Sequence, residues 1–154
     1  DPENAQAYLG KLMIDLRVNL QEELGNLTTP FESNKNYIKA VRFADEELKS
    51  KLNSYIKIIN NRNENGIYTR AKNAMSAANT EGAYKEAAHL FESISEYQDS
   101  SALAQSCYEK AEIARKEAEI ARKEDEKRAK QDKEIAIMII VCSIIAFIIV
   151  SKLL

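Results

Sequence analysis

The chain holds a single histidine, His89, and two cysteines, Cys107 and Cys142. One imidazole without partners can build neither a zinc site nor a nucleophilic triad. The sequence contains no glycine-rich phosphate loop, no Cys-x-x-Cys, no His-Glu-x-x-His and no Gly-x-Ser-x-Gly. His89, between Ala88 and Leu90, therefore reads as a packed or surface histidine, and Cys107, beside Tyr108, as a buried structural thiol. The carboxylates are interleaved with Lys and Arg, the pattern of solvated helix faces. Tyr8, Tyr37, Tyr84 and Tyr97 fall at core positions rather than on a recognition face. No catalytic residue, cofactor or metal is expected, and the chain does not read as an enzyme.

The elements that position these residues follow from composition. Of 154 residues, 45% are hydrophobic and 30% charged, with four Gly, two Pro and no Trp. So little turn punctuation argues for long helices rather than strands. Lys plus Arg number 22 against 24 Asp plus Glu, so no global field draws the chain to nucleic acid. The two thiols lie in different regimes, one on a helix of the body and one in an apolar tail, which excludes a disulfide and fits a reducing compartment. The opening Asp1-Pro2 reads as an N-cap followed by proline at the first helical position.

Residues 135–154 are apolar except for Ser143, Ser151 and Lys152. At 1.5 Å per residue such a run would cover about 30 Å, the thickness of a bilayer core, so a single-pass, tail-anchored transmembrane helix in contact with lipid is expected. Arg122, Lys123, Lys127, Arg128, Lys130 and Lys133 precede it and would set its orientation, with the body on the cytoplasmic side of the cell membrane. Between body and tail, residues 109–134 form a neck with nine basic and nine acidic residues and a seven-residue duplication, AEIARKE. Glu112 with Lys116 and Glu119 with Lys123 place acid before base at i, i+4, which supports a continuous solvated helix. Ala104, Cys107, Ala111, Ala114, Ala118 and Ala121 make a seam of small residues, and Cys142 with Ala146 a small patch. Both leave room for a weak homo-oligomer.

Residues 1–108 form the body. Apolar spacing predicts a helix over residues 1–17, a loop with at most one short helix over 21–36, and a long amphipathic helix over 36–61. The Asn-rich run from Asn60 to Gly66 is expected to end that helix, with Gly66 as its left-handed stop. Helices over 67–79 and 82–95 follow, joined at Thr80-Glu81-Gly82. Tyr97-Gln98-Asp99-Ser100 is the next break, with Asp99 capping the helix that becomes the neck.

Gly82, Tyr84, Ala87, Phe91 and Ile94 follow the order of the turn and second helix of a tetratricopeptide repeat, where Gly turns, a small Ala permits close approach and the rings fill the groove. Asp1 to Tyr8 is similar to the junction between two such repeats, Asn36 to Ala40 echoes the Tyr-x-x-Ala element, and Tyr97 to Ser100 matches a bacterial variant of the junction. The first of these similarities implies at least one further helix pair upstream. The body thus resembles a degenerate bacterial tetratricopeptide-like array. The repeat lengths are irregular and residues 21–36 stand as an insertion. The resemblance implies an all-α solenoid of antiparallel helix pairs that binds a protein or peptide partner. Combined with the tail, the expected function is a membrane-anchored, cytoplasm-facing scaffold or adaptor. The alternatives are an oligomeric membrane effector, a pore or stress sensor regulated by the repeats, or a tether for an enzyme or zinc-ribbon module upstream of residue 1.

Overall fold

In the computed structural model the backbone is described for residues 3–153 and the side chains for residues 3–145. Five helices follow one another: α1 (Ala5–Asp15), α2 (Lys35–Phe43), α3 (Glu46–Ala77), α4 (Glu81–Glu92) and α5 (Ser100–Leu153), with a 3-10 turn over Gln21–Asn26 between the first two. The fold is all-α, with no strand among the described residues. Short polar side chains start the helices: Ala7 N–H donates to Asn4 (3.1 Å), Asn36 N–H to Asn34 (2.7 Å), Leu48 N–H to Asp45 (2.9 Å) and Ala83 N–H to Thr80 (3.2 Å). Each satisfies an N–H that has no partner within its helix. Asp1 and Pro2, expected to open α1, lie outside the described residues, and the opening is corrected to Asn4, which caps a helix that starts at Ala5.

The expected long helix is divided differently. It breaks at Ala44 and Asp45, where Asp45 caps α3 and Glu46 and Glu47 place negative charge at its N-terminus. From there α3 runs through the Asn-rich segment without interruption for 32 residues, about 48 Å. Gly66 does not take a left-handed conformation. Two of its polar residues, Arg62 and Asn63, bind a neighbouring loop from within the helix. Arg62 donates to the carbonyls of Gly25, Asn26 (3.2 Å) and Leu27 (3.4 Å), and Asn63 to that of Thr28 (3.0 Å). The end of the 3-10 turn is thereby satisfied by α3.

Two apolar clusters sit at the two ends of α3. The first joins α1, the 3-10 turn, α2 and the first half of α3 through Leu9, Leu12, Leu24, Phe31, Tyr37, Leu52, Tyr55 and Ile59. Phe31 meets Tyr37 edge-on at 5.5 Å, and the Tyr37 hydroxyl donates to Asn53 at 2.7 Å. The second joins the last part of α3 to α4 and the start of α5 through Tyr68, Ala71, Ala87, Ala88, Phe91, Ile94, Ala104 and Cys107. Tyr68 contacts the rings of Phe91 (5.9 Å) and Tyr97 (5.8 Å), and its hydroxyl donates to Asp99 at 2.6 Å. Asp99 therefore ties the α5 start to α3. Helix lengths of 11, 9, 32, 12 and 54 residues follow no repeat.

Helix α5 begins inside the second cluster and leaves it. Ala104, Cys107 and Ala111 are buried, whereas every described side chain of residues 115–145 is exposed. The small-residue seam is thus half consumed within the chain, since its first three members face the second cluster and α4. Along the neck Glu112 pairs with Arg115 (2.6 Å) and Lys116 (3.7 Å), Glu119 with Lys123 (2.7 Å) and Glu126 with Arg122 (3.7 Å).

The membrane-crossing helix expected over residues 135–154 is corrected by the structure: among the described residues no helix is long and apolar enough to cross a membrane. The described apolar side chains of α5, residues 135–145, extend about 16 Å, roughly half of a bilayer core. The remaining residues of that expectation, Ala146 and Lys152 among them, have side chains outside the described set.

Candidate functional site

Where α1 and α2 face each other, they leave an open cleft of about 420 Å³ lined by Tyr8, Lys11, Ile14, Asp15, Lys35, Asn36 and Lys39. The Tyr8 ring stacks on Phe43 with centroids 6.0 Å apart. The ammonium groups of Lys11 and Lys39 each stand 5.2 Å from the centre of the Tyr8 ring, and the Arg42 guanidinium stands 5.5 Å from that of Phe43. Lys35 lies one turn before Lys39 on α2. Among the described residues none of these four cations forms an ion pair with a carboxylate. Asp15, the one carboxylate in the lining, accepts from the amides of Asn36 (2.7 Å) and Asn34 (3.4 Å). Ile14 is 77% exposed at the cleft edge.

A second cluster lies between α4 and α5. His89 Nδ1 is 3.0 Å from one oxygen of Glu92, and the Tyr108 hydroxyl donates to the other at 2.9 Å. The imidazole and phenol rings meet edge-on at 6.1 Å. The hydrogen bonds from His89 and Tyr108 hold the Glu92 carboxyl below its ordinary range, and the bond to Glu92 pushes the Tyr108 hydroxyl up. A phenol with a raised pKa is a poorer nucleophile at neutral pH, so the cluster acts chemically as a clasp between two helices. The spacing of His89 and Glu92 was visible in the sequence. Tyr108, on another helix, was not.

The five positions of the repeat resemblance divide. Ala87, Phe91 and Ile94 are buried in the second cluster. Tyr84 is half-buried and lines a hollow with Ala78, Asn79, Lys110, Ile113, Ala114 and Glu117. Gly82 is exposed in the first turn of α4, where an added Cβ would meet nothing within 4 Å, so Thr80 and not Gly82 makes the turn. Arg122, Lys123, Lys127, Arg128, Lys130 and Lys133 are spread along the exposed part of α5. Without a membrane-crossing helix among the described residues they carry no argument about orientation. Cys107 is fully buried, and burial pushes its thiol pKa up. Among the described residues no group of His, Cys, Asp and Glu is arranged to hold a metal ion.

Comparison with known protein families, with curated proteins and with solved structures found no match to this chain. The expected membership of a tetratricopeptide-like family with a transmembrane anchor is therefore corrected. What remains of it is the all-helical architecture, with three of its five positions packed in one local cluster.

Proposed function

We propose that the chain is a non-catalytic helical scaffold or adaptor that binds a protein partner on its packed helices and holds it at a fixed distance along α5. The observation that carries this reading is continuity. One helix, α3, enters both apolar clusters, and another, α5, leaves the second cluster as an exposed rod without a break. A partner seated on the clusters is then positioned relative to whatever engages the far part of α5, which raises the effective concentration of one for the other. The ion pairs along the neck support a rod that keeps its length in water. The free thiols Cys107 and Cys142 support a reducing, cytoplasmic setting.

The test is site-specific photo-crosslinking of the full chain in cells, with the reactive group placed in turn at Ile14, Tyr84 and Ile120. A scaffold gives a discrete protein adduct from a position on the packed helices. If none of the three positions yields one, the reading is wrong.

A further inference from the structure

We infer that the cleft between α1 and α2 recognises an acidic segment of the partner protein, one that carries an aliphatic residue among its carboxylates. The inference rests on the scaffold reading and names the chemistry of the partner. Lys11, Lys35, Lys39 and Arg42 gather four positive charges on two helices of a chain whose net charge is −2. Two of them are held over the Tyr8 ring and a third over Phe43, so the cationic groups are partly ordered before a ligand arrives. Asp15, which would oppose an incoming carboxylate, is engaged by Asn34 and Asn36.

Ile14 decides the kind of anion. An aliphatic side chain left 77% exposed beside ammonium groups that have no carboxylate partner among the described residues complements a peptide in which an apolar residue lies next to Asp or Glu. A nucleic acid offers it no aliphatic counterpart. Tyr8 is also a poor platform for a base, because its ring already stacks on Phe43 and carries two ammonium groups. The neck of a second copy is a poor occupant, since its nine acidic residues are matched by nine basic ones.

The experiment pans the full-length chain against a random dodecapeptide library and measures the selected peptides by fluorescence anisotropy at two salt concentrations. Enrichment of Asp and Glu beside Leu, Ile or Val is expected, with affinity that weakens as salt rises. The double charge reversal Lys11→Glu with Lys39→Glu should lower that affinity at least about tenfold, and Ile14→Ser should lower it too. Circular dichroism of these surface variants, with Lys35→Glu as an independent reversal, confirms that folding is retained. The inference is overturned by no enrichment, by a consensus without acidic residues, by affinity indifferent to the reversals, or by a twelve-nucleotide single-stranded RNA that binds as tightly. An adduct from Tyr84 but not Ile14 in the crosslinking experiment would remove the cleft and leave the scaffold standing.

Discussion

Arg62, in the middle of α3, donates to the backbone carbonyl of Gly25, thirty-seven positions earlier in the chain. The same guanidinium reaches the next two carbonyls, so a single side chain closes the C-terminal end of the 3-10 turn. Carbonyls at a helix end have no partner of their own, and a planar fork with several donors can serve more than one of them. Replacing Arg62 by Ala is expected to lower stability by about 1–2 kcal/mol in urea denaturation. Arg62→Lys should recover only part of the loss, because a point charge cannot span three acceptors. Equal stability of Arg62→Lys and wild type would show that the fork does not matter.

Gly25 and Gly66 predict opposite outcomes for the same substitution. A Cβ on Gly25 would lie 3.0 Å from Cδ1 of Tyr55, whose ring is buried in the first cluster and has little room to yield. Gly25→Ala is expected to destabilise by about 1–3 kcal/mol. Gly66 sits exposed in the interior of α3, with open space where its Cβ would be. Gly66→Ala is expected to stabilise by about 0.5–1 kcal/mol, by removing backbone freedom from the unfolded chain. A thermal midpoint of Gly66→Ala below that of the wild type would contradict the continuous helix, and one of Gly25→Ala above it would contradict the close approach to Tyr55.

These glycines show what the sequence could and could not reveal. Asn and Gly cluster at helix ends, so the sequence around Gly66 resembles a stop, but the bonds from Arg62 and Asn63 to residues 25–28 are tertiary and leave no periodic trace. The true break carried a local signal, Asp45 followed by Glu46, Glu47 and Leu48, which the unbroken spacing of Val41, Ala44 and Leu48 concealed. The turn at Thr80 was readable because capping chemistry is local, whereas the Asp99 carboxylate, expected to cap α5, accepts from Tyr68 instead, a tertiary contact. The cleft was not: Lys11 and Lys39 lie on helices whose faces periodicity can assign but whose mutual placement it cannot. The apolar tail spoke most strongly in the sequence, yet a hydropathy run alone does not say what the described helix does.

Arg17 ends α1 with φ 56°, a left-handed conformation that side chains disfavour. Its N–H donates to the Ile14 carbonyl at 3.1 Å and that of Val18 to Met13 at 3.0 Å, the paired bonds of a helix stop that usually has glycine at this position. Val18 and Met13 both pack on the first cluster, so the turn cannot relax without uncovering apolar surface. Arg17→Gly is expected to raise stability by about 1 kcal/mol, the approximate cost of a side chain in the left-handed region. Arg17→Val, with a branched side chain, should lower it. Comparing the urea midpoints of the two variants checks the sign on both sides.

The clasp at Glu92 sets a direction for stability against pH. Its carboxyl is held below the ordinary glutamate value of 4.5, chiefly by the bond with His89 and then by that from Tyr108. A group whose folded pKa lies below its unfolded one stabilises the fold above the unfolded value and loses that contribution as pH falls through the folded one. The Glu23 carboxyl is likewise held low, because its carboxylate accepts the N–H groups of Leu20 (3.0 Å) and Asn19 (2.7 Å). The urea midpoint should therefore fall as the pH is lowered from 5 towards 3. Glu92→Gln should reduce midpoints at neutral pH while flattening the acid side of the curve, because the amide keeps a hydrogen-bonding group without a proton to gain. An acid limb of unchanged steepness in Glu92→Gln would mean that the clasp is not part of the folded state's proton balance.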